Sequence, residues 1–394
     1  MPSYFAIRNM AKRDRLRTVS GLKRLRAQLD SEIPLKTRSS TLVLGTWNIR
    51  NFDDNRFMNG NRSAEDLFYI AEIVSRFDIV AVQEVCDDLD PLDRVMRILG
   101  SDFDYIVTDP TEGRAGNDER LGFIFDKSKV WFKGIAGELV LPDSMQIVDE
   151  GKKRQFSRTP FMCAFQSGWF KFLFSTVHIY FGKSSGPKYK RRVAEVDGVA
   201  KFLAKRAKAD DRNHILVGDF NIVKRGSAGY NALEKNGFEI FQNKVGSNKD
   251  QTKFYDQISF RVKKSELRFA GSDRSKGVLQ FFDSIYRDQD FPAYKAALKK
   301  TVEAKIERIQ GEIEADKKRL AKARTAKSKA RHKASIEKHG KNIASWRQHL
   351  ANDAKLKSYY RSEWRTFHGS DHLPLWVELE IDFSGEYLES LAND

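Results

Sequence analysis

Short apolar runs with a strong preference for β-structure recur from residue 41 to residue 290 and again near the end of the chain, and few helical patterns separate them. The clearest runs are residues 41–49 (TLVLGTWNI), 78–85 (DIVAVQEV), 170–181 (FKFLFSTVHIYF), 214–222 (HILVGDFNI) and 372–381 (HLPLWVELEI). Apolar residues recur at helical spacing after Ser63, a suitable N-cap, and residues 189–208 have the pattern of a basic amphipathic helix. Strands this numerous, with so few helices between them, predict an α/β (α+β) fold: a four-layer sandwich of two β-sheets flanked by helices.

One segment, residues 291–365, lacks these strand-like runs. From residue 293 to residue 357 it contains no proline and two glycines, and its apolar residues are spaced by three, four or seven positions. They are Leu298, Val302, Ile306, Ile309, Ile313 and Leu320, and then Ile336, Ile343, Trp346 and Leu350. This spacing predicts two long helices that form an inserted antiparallel hairpin, with its turn in the basic stretch 321–333. The same apolar stripe could instead mediate self-association, as in a coiled coil.

The net charge of +16 is concentrated at two places. Residues 1–40 contain ten Lys and Arg against three acidic residues, and residues 291–365 contain 21 against eight, so the rest of the chain carries −4. We expect residues 1–40 to form a basic helical arm, and we expect the arm and the hairpin to bind a polyanion. The alternative is that the Lys-rich helices are only solvated surfaces.

Composition excludes some classes of protein. No apolar run approaches the roughly 20 residues that a transmembrane helix needs, and the N-terminus lacks the apolar core of a secretory signal. Cys86 and Cys163 both lie in strand-like runs, which favours reduced thiols over a disulfide. We therefore expect a cytoplasmic or other intracellular protein.

Isolated polar residues interrupt or end the apolar runs. They are Asn48, Glu84, His178, Asp219 with Asn221, and Asp371 with His372. A lone buried His or Asn is most often a satisfied core residue. Five such places are hard to explain as packing, because each unpaired polar group would cost a few kcal/mol. Asp219 and Asn221 are two positions apart, so an extended backbone would project both to the same side.

These motifs, in this order, resemble the endonuclease/exonuclease/phosphatase superfamily, through residues 41–290 and 366–382. WNIRNF contains Asn48 and Arg50, QEV contains Glu84, GDFN contains Asp219 and Asn221, YDQI contains Asp256, and SDH contains Asp371 and His372. The resemblance implies that residues 41–290 and 366–394 form the catalytic domain. It also implies that Glu84 is the principal Mg²⁺ ligand, helped by Asn48 and Asp371, and that Asp256 orients a catalytic His372.

Two further segments favour the deoxyribonuclease I-like branch. NDERLGFIFDKSKV contains Glu119, which the resemblance pairs with His178 as a second histidine–carboxylate pair, and SRTPF contains Arg158, which it implies binds phosphate beside Arg50. Two positions depart from that branch. Cys86 replaces an arginine and Asn117 replaces a tyrosine, both of which contact the DNA groove in deoxyribonuclease I.

Phosphodiester hydrolysis fits these residues. One histidine would take a proton from water and the other would protonate the leaving oxygen, with the two roles unassigned. Oxygen ligands suit Mg²⁺ or Mn²⁺. We predict a Mg²⁺-dependent DNA endonuclease whose hairpin contacts nucleic acid through six basic residues, Lys322, Arg324, Lys327, Lys329, Arg331 and Lys333. The alternatives are a phosphodiesterase acting on sphingomyelin or inositol phosphate headgroups, and an inactive nucleic-acid-binding scaffold.

Overall fold

The computed structural model of the protein describes residues 2–111, 117–210, 212–262, 266 and 268–393. The chain divides into two compact units. The sheet unit comprises Met1–Asp54, Ser63–Ser284 and Gly369–Asp394, and the hairpin unit comprises Asn55–Arg62 and Ile285–His368. The division of the chain into an arm, a catalytic domain and an insertion at residues 40, 291 and 365 stays a prediction. No helix in the described part of the chain is long and apolar enough to span a bilayer.

The sheet unit contains the strands and six of the ten α-helices described below. The strands are β1 (Thr41–Phe52), β2 (Ile79–Val85), β3 (Phe103–Val107), β4 (Arg120–Asp126), β5 (Trp131–Glu138), β6 (Ile147–Asp149), β7 (Lys152–Arg154), β8 (Phe161–Ser167), β9 (Phe170–His178), β10 (Asn213–Asp219), β11 (Glu239–Ile240), β12 (Asp256–Arg261), β13 (Lys276–Val278) and β14 (Leu375–Glu380). Its helices are α1 (Lys12–Glu32), α2 (Ala64–Val74), α3 (Asp90–Leu99), α4 (Gly186–Arg206) and α5 (Ala228–Lys235), and the hairpin unit contains α6 (Phe291–Lys322), α7 (Ala326–Ala351), α8 (Asp353–Tyr359) and α9 (Arg365–His368). The chain ends in α10 (Ser384–Asn393), which also belongs to the sheet unit.

Two six-stranded sheets form the sandwich. The first has the strand order β13-β14-β1-β2-β4-β3 and the second β11-β12-β10-β9-β8-β5. Each sheet contains one parallel pair, β1 with β2 and β9 with β10, and its other strand pairs are antiparallel. The predicted sandwich of two sheets flanked by helices is confirmed.

Phenylalanines fill the core between the two sheets. The rings of Phe123 and Phe174 have centroids 4.9 Å apart, and those of Phe123 and Phe161 lie 5.4 Å apart. Each buries a large apolar surface, and such aromatic pairs add about 0.5–1.5 kcal/mol beyond burial. A second core lies between the outer face of the second sheet and α4, where Val196, Val199 and Leu203 are buried. The repeated Phe of residues 161–174 therefore acts mainly in packing.

A polar bridge crosses the core between the sheets. Gln83 on β2 is fully buried, and its Nε2 donates to Thr46 Oγ1 at 3.2 Å and to Thr176 Oγ1 at 2.8 Å. Thr46 lies on β1 of the same sheet, whereas Thr176 lies on β9 of the other sheet. We refer to these three residues as the Gln83 bridge.

Sequence signals explain where α2 begins and how α1 packs. Ser63 caps α2 as predicted, because its hydroxyl accepts from the backbone N–H of Asp66 and the Asp66 carboxylate accepts from the N–H of Ser63. The predicted arm contains α1, whose apolar face is buried through Leu22, Leu25 and Leu29. Residues 12–32 are therefore a packed helix of the sheet unit.

The hairpin unit contains the predicted helix pair. The chain turns at residues 323–325, within the basic stretch where the turn was expected. The helices are antiparallel neighbours: His332 Nδ1 on α7 lies 3.0 Å from Asp316 Oδ1 on α6. At the other end of α6, Lys295 Nζ lies 2.5 Å from Oδ2 of Asp353, the first residue of α8, which follows α7. Leu298 and Val302 on α6 and Ile343 on α7 are buried, so this pairing uses the apolar stripe.

Candidate active site

His372 and Asp256 form one histidine–carboxylate pair. The Nδ1–H of His372 donates to Asp256 Oδ2 at 2.7 Å, and the Ser247 hydroxyl donates to the same oxygen at 2.6 Å. Asp256 begins β12, and His372 lies three residues before β14. Both side chains are buried. Asp256 therefore fixes the tautomer of His372, so that Nε2 is the ring nitrogen left for chemistry.

His178 and Glu119 form a second pair of the same construction. His178 Nδ1 lies 3.0 Å from Glu119 Oε2, and Arg158 Nε lies 2.7 Å from that oxygen. Asn117 Nδ2 donates to Glu119 Oε1 at 3.1 Å. His178 ends β9, and Glu119 directly precedes β4. The pair therefore joins one strand from each sheet.

The free nitrogens of both histidines converge on one carboxylate oxygen. Asp219 Oδ2 lies 3.5 Å from His178 Nε2 and 3.7 Å from His372 Nε2. Strand register explains the convergence, because Asp219 at the end of β10 is directly opposite His178 on β9 and Asp256 on β12. Three adjacent strand ends thus bring His178, Asp219 and Asp256 to one place, and Asp256 in turn holds His372 there.

Asn221 reaches this place differently from the sequence-based prediction. β10 ends at Asp219, and Asn221 has φ of +53°, so the two residues do not share one face of an extended strand; that part of the prediction is wrong. The backbone N–H of Asn221 donates to Asp219 Oδ1 at 2.8 Å, while its side-chain Nδ2 donates to the carbonyl of Ile179. The left-handed turn folds the backbone back onto Asp219, which holds that carboxylate in place.

Glu84 and Asn48 form the other side of the site. Glu84 Oε1 accepts from Asn48 Nδ2 at 2.8 Å, and Glu84 Oε2 accepts from the backbone N–H of Asn51 at 2.8 Å. Asn48 Nδ2 also lies 3.2 Å from Asp219 Oδ2. Glu84 has φ of +61°, a conformation that costs a non-glycine residue of the order of 1–3 kcal/mol. Such strain is typical of positions where function fixes the direction of a side chain.

The donor set fits a hard divalent cation. Glu84 Oε1 lies 3.9 Å from His178 Nε2, and Asn48 Oδ1 is a buried oxygen without a hydrogen-bond partner among the described residues. Ligand atoms of Glu84, Glu119 and His178 lie within 4.8 Å of one another, as do those of Asp219, Asp256 and His372. In each group the histidine is already paired with a carboxylate. Glu84, together with the unpartnered Oδ1 of the neighbouring Asn48, offers oxygen atoms that could hold a hard divalent cation.

The charges of the site shift the pKa values of its members. Burial alone would raise the pKa of Glu119, but the positive charge and hydrogen bond of His178, with Arg158, lower it to about 2. Burial opposes protonation of both histidines, and the adjacent carboxylates outweigh it, so the pKa of His178 is raised and that of His372 is raised well above the usual value. Burial, aided by Asp256, raises the pKa of Asp219.

A family model described as the Endonuclease/Exonuclease/phosphatase family matches residues 45–256, more than half of the chain. The chain belongs to this family. It is 29% identical to deoxyribonuclease-1 of Canis lupus familiaris over 191 residues, which are 46% of this chain and 60% of the relative. It is 34% identical to deoxyribonuclease-1 of Rattus norvegicus over 97 residues, 23% of this chain and 32% of the relative. The chain thus matches less than two thirds of the length of these relatives, which indicate the deoxyribonuclease I-like branch.

One solved structure with a similar fold is that of a mannosyl-6-phosphatase of Bacteroides thetaiotaomicron VPI-5482. The TM-score is 0.43 at 18% identity, over 59% of this chain and 92% of that chain.

The match to the family model ends at Asp256, before the last predicted site residues. The structure brings His372 to the matched part through Asp256. Asp371 is 37% exposed at its side chain and lies 3.6 Å from Arg50 Nη1, and neither close ligand group includes it. Arg158 is buried against Glu119. The metal-binding role of Asp371 and the phosphate-binding roles of Arg50 and Arg158 stay predictions.

Sequence reasoning missed three residues that support the site in this family member. Ser247 holds Asp256, as described above. Ser370 Oγ donates to the carbonyl of Asn48 at 2.7 Å and accepts from the backbone N–H of His372 at 3.1 Å. Ser247 lies in a polar loop that has no sequence signal, whereas Ser370 is the first residue of the SDH motif, from which only Asp371 and His372 were selected.

Arg192 on α4 is the third missed residue, and it did have a signal. It is 3% exposed, and its guanidinium donates to the carbonyls of Asn221 at 2.9 Å, Phe181 at 2.8 Å and Lys183 at 3.0 Å. It therefore ties the loop after His178 to the loop after Asp219. Its spacing of four and seven residues from the buried Val196 and Val199 places it on the apolar face of the helix.

Proposed function

We propose that the protein is a divalent-metal-dependent phosphodiesterase that hydrolyses phosphodiester bonds in nucleic acid, and that DNA is its substrate. One observation carries the proposal: the free Nε2 atoms of His178 and His372 lie 3.5 and 3.7 Å from the same oxygen of Asp219. Displacement at phosphorus needs one group to take a proton and another to give one at the same centre. Two oriented imidazoles on either side of one carboxylate supply both.

The two pairs perform complementary proton transfers. One imidazole accepts the proton of the attacking water at Nε2, and the other, already protonated, donates its Nε2 proton to the leaving oxygen. Asp256 and Glu119 stabilise the imidazolium form in each pair, which supports protonation near neutral pH. The pH profiles of variants at Asp256 and Glu119 distinguish the two roles.

The remaining residues hold and balance charge. Glu84 and Asn48 would hold Mg²⁺ or Mn²⁺, which supplies electrostatic stabilisation of the phosphoryl oxygens when bound. The Asn221 N–H holds Asp219 in position, and the Arg192 guanidinium fixes the two loops that contain His178 and Asn221. Arg50 is half-buried, lies on the same strand as Asn48 and is suited to bind an incoming phosphate.

Nucleic acid as the substrate is supported by charge and by the relatives. The net charge of +16 attracts a polyanion, and the curated relatives described above are named deoxyribonuclease-1. Cys86, in place of a groove-binding arginine, is 1% exposed and contacts Asn51 Oδ1 at 3.7 Å. Recognition through the backbone is therefore favoured over groove contacts at this position.

The test is cleavage of supercoiled plasmid DNA by the purified chain, with Mg²⁺, with Mn²⁺ or with EDTA. We expect nicked and linear products with either metal and none with EDTA. His178→Gln and His372→Gln should each lower the rate by about 10² to 10⁴-fold, the usual contribution of a general acid or base. RNA and sphingomyelin, assayed in parallel, test the alternative substrates.

His214→Gln is the matched control. His214 is a buried histidine on β10, the strand that ends at Asp219, and lies at its opposite end. This variant should cleave plasmid at nearly the wild-type rate. Cleavage by the His372→Gln variant at the rate of the control would contradict the proposed mechanism, and hydrolysis of sphingomyelin without cleavage of DNA would contradict the proposed substrate.

A further inference from the structure

The turn of the helical hairpin concentrates positive charge in an unusual way. We call residues 317–333 the hairpin tip: it contains nine Lys and Arg and no acidic residue. Six of these cations are Lys322, Arg324, Lys327, Lys329, Arg331 and Lys333, and all six are exposed. The nearest acidic residues, Asp316 and Glu337, lie outside the tip.

The six cations are not used in ion pairs within the structure. At the base of the tip, Lys317 pairs with Glu314 at 2.8 Å and Arg319 pairs with Asp316 at 3.4 Å. Across the described ranges, no ion pair involves any of the six cations from Lys322 to Lys333. The positive electrostatic potential of these six cations is therefore not neutralised by the chain's own carboxylates.

Part of this charge opposes helix stability. Lys327 and Lys329 lie in the first turn of α7, which contains no acidic residue. The N-terminal end of a helix carries partial positive charge, so lysines there are unfavourable. A sequence selected only for a stable hairpin would place acidic residues at these positions. The arrangement indicates that the tip serves a ligand rather than the fold.

The tip is also held in a defined conformation. Thr325 caps α7 by accepting from the backbone N–H of Ser328 at 3.2 Å. Within the tip, His332 contacts Asp316 at 3.0 Å, and below the tip His339 Nδ1 lies 3.5 Å from Glu312 Oε2. The cations are thus presented on a preorganised support, which lowers the entropy that binding must overcome.

The chemistry of the tip selects one class of partner. Residues 317–333 contain no Phe, Tyr or Trp on which bases could stack, and their one histidine, His332, is buried. No large apolar side chain between residues 285 and 368 is exposed. Base reading, insertion into a lipid bilayer and apolar self-association are therefore all disfavoured. We propose that the hairpin tip binds the sugar–phosphate backbone of nucleic acid without reading its sequence.

The size of the tip matches this ligand. The eight residues 326–333 of α7 rise about 12 Å, and duplex DNA presents about seven phosphate charges over that length. A few simultaneous contacts are therefore geometrically reasonable. The inference rests on the proposed function only in choosing nucleic acid as the polyanion.

Binding of a labelled 30-base-pair DNA duplex, measured by fluorescence anisotropy in EDTA across a salt series, tests the inference without catalysis. The tip variant replaces Lys322, Arg324, Lys327, Lys329, Arg331 and Lys333 with Gln. If half of these cations contact phosphate, affinity at 0.15 M salt should fall about 100-fold, and the log–log salt slope should become shallower by about three units. Hydrolysis of a short model diester should be unchanged.

The control variant replaces Lys133, Lys152, Lys153, Lys201, Lys205 and Lys208 with Gln. These exposed lysines belong to the sheet unit and have no described ion-pair partner. Because six cations are replaced in each variant, the control and tip variants change the net charge by the same amount. We expect less than about fivefold weaker binding. A smaller variant, Lys327→Gln with Lys329→Gln, should show about a third of the tip effect on the salt slope and should not destabilise α7, because it removes unfavourable charge from the helix N-terminus.

Three results would overturn the inference. They are equal losses of affinity in the tip and control variants, wild-type binding by the tip variant, and binding by the tip to phosphatidylserine vesicles but not to the duplex. A chain that binds the duplex through its tip but hydrolyses no diester would instead contradict the proposed function and leave this inference standing.

Discussion

Replacing Asp256 with Asn should alter proton transfer at His372 while leaving the shape of the site intact. Asparagine is isosteric, but it is neutral and cannot stabilise an imidazolium ion as a carboxylate does. The 2.7 Å contact from His372 Nδ1 is buried and charge-assisted, so its loss should cost about 1.5–3 kcal/mol. If that loss falls fully on the transition state, kcat decreases roughly 10- to 150-fold. KM should hardly change.

The pH dependence of the rate carries the sharper information. The pKa of His372 is raised because Asp256 and Asp219 outweigh its burial. Removing the Asp256 charge must therefore move that pKa downward. A general base must be neutral to act, so a lower pKa moves the acidic limb of the profile to lower pH. A general acid must be protonated, so a lower pKa moves the alkaline limb to lower pH.

Glu119→Gln gives the matching experiment on the other pair. Burial and Arg158 oppose protonation of His178, and Glu119 contributes most to raising its pKa. Its replacement should therefore also move one limb to lower pH. We expect the Asp256 and Glu119 variants to move opposite limbs, and the limb that each moves identifies the base and the acid.

The assay is plasmid nicking with saturating Mg²⁺ between pH 5 and pH 9, with thermal unfolding of each variant measured alongside. Ser247→Ala is the control for Asp256→Asn, because it removes a neutral hydrogen bond to the same oxygen but keeps the charge. Its effect on kcat should stay below about tenfold. Displacement of the same limb by both carboxylate variants, or of neither limb, would refute the division of roles between the two pairs.

Three other predictions concern residues around the site. Burial lowers the pKa of His214 to about 4, so this histidine stays neutral in the folded protein, whereas the unfolded chain binds a proton below about pH 6.5. The free energy of unfolding should therefore fall by about 3 kcal/mol from pH 6.5 to pH 4. In urea unfolding, the His214→Gln variant should lose this pH dependence. Arg192→Lys should lower kcat/KM at least tenfold in plasmid nicking, because one ammonium group cannot reach the carbonyls of both loops. Ser370→Ala should cost about 1–3 kcal/mol in thermal unfolding, because it leaves the backbone groups of Asn48 and His372 unpaired.

The sequence predicts most strand positions, because strand residues here are either strongly apolar or interrupted by one polar group. Four of the predicted site residues lie at or near the end of the strand that their apolar run predicted: Asn48, Glu84, His178 and Asp219. Motif order also anticipated both histidine–carboxylate pairs. Their sequence separation is large, since His372 and Asp256 are 116 residues apart. Such pairing could be expected only from the resemblance to a family.

Side-chain and backbone detail beyond the strand ends could not be predicted in the same way. The turn at Asn221 depends on a positive φ, which a non-glycine residue adopts only when its surroundings fix it. Ser247 and Ser370 act through contacts made by loops, where the local sequence carries no periodic signal. Arg192 was not singled out within the predicted basic helix, although its register with Val196 identified the buried face.

The Gln83 bridge has a consequence for how this site can tolerate change. Glu84 follows Gln83 on β2, and His178 follows Thr176 by two residues on β9, so the bridge joins the two strands just below the reacting groups. Apolar contacts between the two sheets are individually weak and have no preferred direction. A hydrogen bond between sheets has a defined direction and is lost on a shift of about 1 Å. The Gln83 bridge therefore fixes the position of one sheet along the other. Substitutions that keep hydrophobic burial but remove the bridge should leave a stable protein in which the distance between His178 and His372 is no longer constant.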